Sequence, residues 1–351
     1  MVNSNHIFYN SKILKMENPT INVYPIFANP LAIMQSHQET KEWILCNFIQ
    51  LCSNSDALNF YDFNYKFCPY LNIQRISKNY LRKLNVDIVK FIINSIAAGY
   101  YIYLLVRAKE IRAYEYESEE IRAQDRFAHD LLIYGYDMEQ QIFYIADNFI
   151  EGKYSFQKCT FHELECAINN IDRNYESRLG FKGNLELIEY YNEEPYFFNI
   201  QKVLDSFCDY VLSKPTIIWN VMEIRNTYGK RKWYFGLECY QYMIKRIYDM
   251  DANNIYIQDF HLMWEHKKHL VKIITFLLEN NYITNQTVIL QMESIEKCAL
   301  SARNLALKYS ISGKESIKEN IIKIYLQMAM DEKELLISLI RQIKLSMMLN
   351  T

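Results

Sequence analysis

Glycine and proline are scarce in this chain, which has 8 and 6 of them among 351 residues. Because both residues mark turns and loops, their scarcity predicts much regular secondary structure and few long loops. The sequence also lacks any run approaching the roughly 18 uninterrupted apolar residues that indicate a membrane-spanning helix. Residues 1–15 show no signal-peptide pattern. We therefore expect a cytoplasmic protein without a membrane-spanning segment.

The chain has no large excess of charge of one sign, because it contains 39 Lys and Arg residues and 41 Asp and Glu residues, which gives a net charge of −2. A nucleic-acid surface needs clustered Lys and Arg to neutralise phosphates, and the sequence shows no such cluster. The 8 cysteines include no CxxC pair, which argues against a zinc ribbon and a thioredoxin motif. In a reducing compartment we expect most of them to be small buried hydrophobic side chains.

The length of the chain exceeds the usual size of one domain, so two domains are expected. The hydrophobic pattern changes near residue 195. Residues 1–195 mix strand and helix patterns and predict an α+β domain with an antiparallel sheet and helices on one side. Residues 196–351 carry apolar residues at helical spacing almost throughout and predict an all-α helical bundle.

Two helix starts in the first domain carry capping residues. Asn29 followed by Pro30 predicts one start, because Asn is a capping side chain and Pro favours the first helical position. We expect this helix to continue toward Leu51. Thr160 and Glu163 have the spacing of a capping box and predict the start of another helix.

The second domain is predicted to contain five helices, because apolar residues recur there every three to four positions. The expected ranges are 200–212, 234–248, 257–280, 287–309 and 315–349. Long helices with many exposed apolar and tyrosine positions are also compatible with a homodimer.

The most informative segment is a predicted β-hairpin, in which two apolar runs are joined by a short polar turn. If Tyr136 pairs with Gln140, His129 lies opposite Asp147. Residues directly opposite on antiparallel strands share a face of the sheet, so the carboxylate can orient the imidazole and hold its tautomer. We therefore predict that His129 and Asp147 are the general base and its orienting group, two members of a nucleophilic triad. The alternative is a surface histidine near a surface carboxylate.

A second pattern lies in the helical domain, where His261, Glu265 and His269 fall four residues apart on one helical face. Such spacing can hold a metal ion. Lys267 and Lys268 are close neighbours that disfavour a bound cation, however, and the polar face of a packed helix explains the same pattern. We therefore predict neither a metal site nor a cofactor.

The hairpin also resembles part of a known family. Residues 20–175, above all the segment 129–137 together with Asp147, look like the N-terminal domain of the butirosin biosynthesis protein H-like family, itself similar to C39-type papain-like peptidases. The resemblance extends into the helical half through 234–238 and 266–268. It implies a papain-like first domain and an acyltransferase that moves an aminoacyl group from an acyl carrier protein to an aminoglycoside amine. Relatives of this kind occur beside gene clusters for peptide and other specialised metabolites.

The resemblance further implies a cysteine nucleophile at a helix N-terminus, where the positive end of the helix dipole lowers the pKa of a thiol. At the predicted helix start this place is held by Ala28 or Asn29, and Asn29 cannot form an acyl intermediate. Cys46 and Cys68 are the remaining candidates. Cys46 lies near the end of the predicted helix, where the dipole raises the pKa of a thiol.

Three functions stay open at this point. A displaced cysteine such as Cys46 or Cys68 approaches His129, and the protein transfers an acyl group from a carrier-protein thioester to an amine through an acyl-enzyme. Alternatively, the protein is a non-catalytic relative, a pseudoenzyme that binds an acyl-carrier or small-molecule ligand. In the third case, His129 deprotonates the amine and transfer is direct. The distance between His129 and the nearest cysteine sulfur discriminates between the first function and the other two.

Overall fold

The computed structural model describes residues 10–53, 57–115, 128–150, 152–171, 183–193, 195–216, 233–252 and 254–349. The strands among these residues are β1 (Ser11–Ile13), β2 (Leu51–Ser53), β3 (Leu58–Phe60), β4 (Leu71–Ser77), β5 (Tyr101–Arg107), β6 (Ala128–Asp137), β7 (Ile142–Ile150), β8 (Lys153–Thr160), β9 (Asn184–Tyr190) and β10 (Tyr234–Phe235). The α-helices are α1 (Pro25–Met34), α2 (Lys41–Leu45), α3 (Lys78–Lys83), α4 (Ile88–Ala97), α5 (Phe161–Asn169), α6 (Ile200–Val211), α7 (Cys239–Asp249), α8 (Ile257–Glu279), α9 (Thr287–Ser312) and α10 (Glu315–Leu349). None of these helices is both long and apolar enough to cross a membrane.

The chain divides into two compact units. The first unit comprises Met1–Lys41 and Tyr65–Pro195, and the second comprises Glu42–Asn64 and Tyr196–Thr351. Each unit is therefore built from two separate pieces of the sequence. The segment Glu42–Asn64, which lies inside the predicted first domain, belongs to the second unit.

A seven-stranded antiparallel sheet organises the first unit, with the strand order β4-β9-β5-β6-β7-β8 and with β1 paired to β6. One face of the sheet packs against α3, α4 and α5 in an apolar core, which includes Leu81, Ile92, Leu104, Leu131 and Leu164. The predicted α+β class with an antiparallel sheet is confirmed. The predicted capping box is confirmed as well, at the start of α5.

Helix α1 lies on the other face of this sheet. The Tyr154 hydroxyl of β8 donates a hydrogen bond to Asn29 Oδ1 of α1 at 2.9 Å. Cys159 of the same strand belongs to the core on the first face. Side chains alternate between the two faces along a strand, and positions 154 and 159 differ by an odd number, so these side chains point in opposite directions. The expectation that the helices lie on one side of the sheet is therefore wrong.

The predicted helix start at Asn29 and Pro30 is wrong. Helix α1 begins at Pro25, which occupies the first helical position after Tyr24, a residue in extended conformation. Asn29 and Pro30 consequently lie in the middle of the helix. A proline suits the first helical turn because the N–H group that it lacks would have no partner there. The segment contains two such prolines within six residues, Pro25 and Pro30. The first of the two prolines sets the start.

The predicted continuation of this helix toward Leu51 is wrong too. Helix α1 ends at Met34, and the Thr40 hydroxyl donates a hydrogen bond to the Met34 carbonyl at 2.7 Å. This bond satisfies one of the carbonyl groups that every helix leaves unpaired at its C-terminus. The chain then forms the short helix α2 and, from Leu51 onward, strand β2.

The second unit is mainly helical, but it is not all-α as predicted. Strands β10, β2 and β3 form a three-stranded antiparallel sheet in that order. Residues 234–248 were expected to be one helix, whereas Tyr234–Phe235 form β10 and α7 begins at Cys239. Gly236 lies between the strand and the helix with a φ of 50°, which is outside the helical region for L-residues.

Two histidines of α8 hold the segment Glu42–Asn64 in the second unit. His266 Nε2 donates to the Ile49 carbonyl at 2.8 Å, and His269 Nε2 donates to the Asn47 carbonyl at 2.9 Å. Burial lowers the pKa of His269 to about 4, so this imidazole is neutral at physiological pH. These pairs join residues 217 and 222 positions apart, which is why local sequence patterns place the segment in the wrong domain.

A buried ion pair adjoins His266. Lys267 Nζ lies 2.7 and 2.8 Å from the two carboxylate oxygens of Glu332, and neither side chain is exposed. Because His266 Nε2 carries the donated hydrogen, its Nδ1 is an acceptor, and Lys267 donates to it at 3.1 Å. Lys267 also donates to the Tyr210 hydroxyl at 3.0 Å, while Tyr240 donates to Glu332 at 2.7 Å. The three hydrogens of the ammonium group therefore all have acceptors.

Candidate functional site

The side chains of His129 and Asp147 are in contact. His129 Nδ1 lies 2.5 Å from Asp147 Oδ2. The Asp147 side chain is fully buried, whereas the His129 side chain is 36% exposed. The imidazole therefore has one nitrogen fixed inside the protein while part of the ring reaches solvent.

The register predicted for this hairpin is wrong, although the contact is present. Tyr136 pairs with Phe143 rather than with Gln140, a difference of three positions at the turn. If the pairing of Tyr136 with Phe143 continued along the two strands without interruption, His129 would not lie directly opposite Asp147. The pairing also shifts at a β-bulge between Ile133 and Gly135, which moves the strands relative to each other.

Beyond the bulge, Leu132 pairs with Ala146. Continuing this ladder places Asp147 opposite Leu131, so Asp147 is a diagonal neighbour of His129 on the same face of the sheet. Diagonal neighbours are close enough for long or aromatic side chains to meet. The imidazole spans this distance and reaches the carboxylate.

Gly135 of the hairpin motif has a structural role. A Cβ atom added to it would lie 2.7 Å from the Lys12 carbonyl oxygen of β1. Gly135 pairs with Ile13, so the backbone of β1 passes directly over it. The glycine in this motif therefore permits close packing of two strands.

Tyr114 completes the site and was missed from the sequence. Its hydroxyl donates a short hydrogen bond to Asp147 Oδ2, the same oxygen that contacts His129. The Tyr114 ring lies 5.4 Å from the His129 ring and 4.8 Å from the Phe149 ring, measured between centroids. The sequence signal available for it was a pair of large apolar side chains, Ile111 and Tyr114, three positions apart in an otherwise polar stretch. Both side chains are buried in the structure.

The electrostatic environment favours the protonated form of His129. Desolvation lowers the pKa of the imidazole, but the negative charge of Asp147 and the hydrogen bond to it outweigh this effect and raise the pKa to about 9. At neutral pH both ring nitrogens consequently carry hydrogens. Nδ1 is engaged by Asp147, and Nε2 makes no hydrogen bond in the described part of the chain.

We expect His129 to titrate near pH 9 and the Asp147→Asn protein to titrate close to the ordinary histidine value of about 6.5. The folded-state pKa lies above the unfolded one, so the pair stabilises the fold fully below about pH 6.5. This contribution is lost as the pH rises through about 9. NMR titration of the imidazole resonances measures both values. An equal midpoint in the two proteins would contradict Asp147 as the cause.

Ala28 and Asn29, the residues at the predicted helix start, do not lie at the His129 site. Ala28 ends the first turn of α1, Asn29 follows it in the middle of the helix, and both residues are fully buried. Asn29 accepts its hydrogen bond from Tyr154, on the face of the sheet opposite to His129. The first turn of α1, residues 25–28, contains no cysteine.

Cys68 has the properties of a buried structural thiol. It is 3% exposed. Desolvation raises the pKa of the thiol to about 12, even though the backbone N–H groups of Tyr70 and Leu71 lower it. The first unit contains two more cysteines, Cys159 and Cys166, and no hydrogen bond joins any of the three to His129 in the described residues. Cys68 and Cys159 are buried, and the sulfur of Cys166 lies 3.6 Å from Nε2 of another histidine, His162.

Cys46 belongs to the second unit and follows α2 directly. Its sulfur accepts a hydrogen bond from the Asn199 backbone N–H at 3.3 Å, immediately before α6. Burial raises the pKa of this thiol. The environment therefore favours the neutral thiol, which is a poor nucleophile compared with the thiolate.

The residues of the predicted helical stripe are engaged in other contacts. His261 Nε2 lies 3.2 Å from Glu265 Oε1, and Arg303 Nε donates to His261 Nδ1 at 2.9 Å. His269 is bound to the Asn47 carbonyl. Among the residues that the structure describes, no group of three or more His, Cys, Asp or Glu side chains is arranged to hold a metal ion.

The geometry thus defines one polar site in the first unit, built from His129, Asp147 and Tyr114, with a cationic N–H donor at its partly exposed end. A charged donor of this kind suits an oxygen acceptor such as a carbonyl or a carboxylate. Comparison of the sequence with models of known protein families and with curated proteins gives no match.

Proposed function

We propose that the first unit is a catalytically degenerate papain-like domain that binds an acyl ligand through His129 without a covalent intermediate. The observation that carries the proposal is an imidazole fixed by Asp147, with Nε2 at its partly exposed end and no cysteine bonded to it among the described residues. The raised pKa of His129 favours the protonated ring, in which Nε2 carries a hydrogen. Such a donor forms a charge-assisted hydrogen bond to a carbonyl oxygen. The acyl thioester, the ligand class implied by the family resemblance, presents a carbonyl oxygen of this kind.

The natural partner in this proposal is an acyl carrier protein of specialised-metabolite biosynthesis in the cytoplasm. A domain that holds a thioester without cleaving it acts as an accessory protein, by retaining or presenting the acyl group. Native mass spectrometry of the protein with candidate acyl carrier proteins, each in acylated and free form, measures this partnership. Preference for the acylated form is the expected result.

Acetyl-coenzyme A is a suitable probe of the site. We expect the wild-type protein to bind it and the His129→Gln protein to bind it at least about tenfold more weakly, since a hydrogen bond to a charged group contributes about 1.5–3 kcal/mol. His162→Gln is the matched control, because His162 is an exposed histidine of α5 in the same unit. Isothermal titration calorimetry measures the affinities.

Intact mass measured after the same incubation tests the absence of a covalent intermediate. We expect no added acyl group on the wild-type protein. An adduct that disappears in a Cys46→Ala or Cys68→Ala protein would restore the acyl-enzyme mechanism. Equal binding by the wild-type and His129→Gln proteins would overturn the role of His129 in either mechanism.

Direct acyl transfer is a second candidate, favoured by the free Nε2 of an imidazole already oriented by Asp147. In this reaction the amine nitrogen attacks the thioester carbonyl, the C–S bond breaks, and neutral His129 carries the proton from the amine to the leaving thiolate. Because the pKa of His129 is about 9, formation of the amide should rise steeply between pH 7 and 9. Mass spectrometry of acetyl-coenzyme A with glycinamide detects the product. A rate that does not depend on His129 would exclude this candidate.

A further inference from the structure

An amine, a carboxamide and a carboxyl group lie near one another at the start of α6 in the second unit. Lys202 of α6 donates a hydrogen bond from Nζ to Asn47 Oδ1 at 2.8 Å. Asn47 and Asp62 both belong to the segment Glu42–Asn64. Asp62 is close enough to Lys202 for the charge of each group to shift the pKa of the other. These are the groups from which a new amide bond can form inside a protein: a nucleophile, an electrophile and a proton carrier.

The side chain of Asn47 is held in one orientation. It is only 3% exposed, and its Nδ2 donates to the Trp43 carbonyl at 2.6 Å. This bond and the contact with Lys202 together turn the amide oxygen toward the amine. Because Cγ lies about 1.2 Å from Oδ1, the Lys202 nitrogen is within about 4 Å of the carbon that it would attack. Holding the two groups at this separation makes their reaction unimolecular, which lowers its barrier.

Asp62 has the properties of a proton carrier. It is 7% exposed; Oδ2 accepts a hydrogen bond from the Ile49 N–H at 2.9 Å, and the buried Oδ1 accepts none from the described residues. Desolvation raises the pKa of this carboxyl to about 6, although the Ile49 N–H and Lys202 lower it. Desolvation lowers the pKa of Lys202, which the charge of Asp62 opposes. The two pKa values thus approach each other, so moving a proton from the amine to the carboxylate costs less than in water.

We propose that Lys202 and Asn47 form an intramolecular isopeptide bond, with Asp62 as the proton carrier. Asp62 takes a proton from the Lys202 ammonium group, and the neutral amine nitrogen attacks Cγ of Asn47. The new C–N bond forms, and the bond between Cγ and Nδ2 breaks. The lysine nitrogen gives up two protons in all: one converts the leaving NH2 group to ammonia, and the other passes through Asp62 to solvent. The product is a covalent link between positions 155 apart, which joins the two sequence pieces of the second unit.

The intact mass of the purified wild-type protein, kept at neutral pH for several days, tests this modification directly. We expect a value about 17 Da below the mass calculated from the sequence, which is the loss of one ammonia. Digestion with trypsin should then release a branched peptide that contains both Asn47 and Lys202. An unchanged mass would overturn the proposal. The same loss without a branched peptide would indicate a succinimide at an asparagine and would overturn it as well.

Three variants assign the roles of the side chains. Lys202→Arg keeps a cation beside Asn47 but removes the nucleophile, so its mass should equal the one calculated from its sequence. Asp62→Asn should form the bond at least about a hundredfold more slowly, since proton transfer by a positioned side chain contributes about 10²–10⁴-fold. Lys214→Arg, which changes an exposed lysine just after α6, is the matched control and should lose ammonia like the wild type. A branched peptide in Lys202→Arg would contradict the assignment of the nucleophile.

The measurement on the wild-type protein decides the question even if a variant fails to fold. It also stands apart from the proposed acyl site, because His129 belongs to the first unit and takes no part in the bond. A branch at Asp62 with a loss of about 18 Da, the mass of one water, would show that the carboxyl is the electrophile and would overturn the assignment of Asn47.

Discussion

Replacement of Gly236 by alanine is expected to unfold the second unit or to destabilise it by more than about 3 kcal/mol. A Cβ atom at this position would lie 2.1 Å from the Tyr210 carbonyl oxygen and 2.7 Å from the Tyr210 Cα. These are backbone atoms of α6, which cannot move as the end of a flexible side chain can. The φ of 50° adds strain of about 1–2 kcal/mol for any L-residue. Urea denaturation followed by circular dichroism measures the loss.

Gly313→Ala is the matched control for this experiment. Gly313 also belongs to the second unit and has a φ of 61°, but the nearest atom to an added Cβ is the Ala252 Cβ at 3.8 Å, an ordinary contact. The backbone strain is therefore shared and the clash is absent. We expect a loss of about 1–2 kcal/mol for this variant. Equal losses for the two variants would show that the approach of α6 to Gly236 has no importance for stability.

The second large effect is expected for Lys267→Met, which should destabilise the second unit by about 3–5 kcal/mol. The substitution leaves the Glu332 carboxylate charged, fully buried and without its cation. His266 Nδ1 and the Tyr210 hydroxyl lose a donor at the same time. Thermal and urea denaturation measure the change.

Lys268→Met provides the control, because Lys268 is adjacent in sequence and only partly buried. Its ammonium group lies over the Trp264 ring at 5.2 Å, a contact that contributes about 0.5–1 kcal/mol at an exposed site. The double variant Lys267→Met, Glu332→Met should be more stable than Lys267→Met alone, because the uncompensated charge is gone. A double variant no more stable than the single one would contradict this explanation.

Local sequence patterns were sufficient for some elements. The capping box at Thr160 and Glu163 depends on hydrogen bonds between residues three positions apart, so its signal is contained in a short stretch. The last predicted helix, 315–349, coincides with α10 because a long apolar stripe leaves no competing interpretation.

Other features depend on contacts that no short stretch contains. The pairs Tyr24–Pro25 and Asn29–Pro30 both have the proline expected at a helix start, and only the packed structure selects the first. The hairpin register is set by the turn, where Gln141 adopts a φ of 54° that its residue type does not indicate. His129 and Asp147 were identified correctly as neighbours despite the wrong register, because the imidazole ring is large enough to reach a diagonal neighbour.

The candidate nucleophiles of the site, Cys46 and Cys68, likewise could not be judged from a short stretch of sequence. A cysteine in the sequence does not reveal whether its sulfur is exposed and whether cations surround it. Cys46 and Cys68 are both buried, and burial is a property of the completed fold. Tyr114 was missed for the related reason that its contact with Asp147 joins residues 33 positions apart.

The two-piece construction of the second unit has a consequence for protein synthesis. When the first half of the chain has left the ribosome, the segment Glu42–Asn64 still lacks the α8 histidines that bind its carbonyl groups. Apolar side chains such as Phe48, fully buried in the finished protein, are uncovered during this interval, which favours aggregation. A gene divided after residue 195 would yield a C-terminal product without β2 and β3, two of the three strands of its sheet.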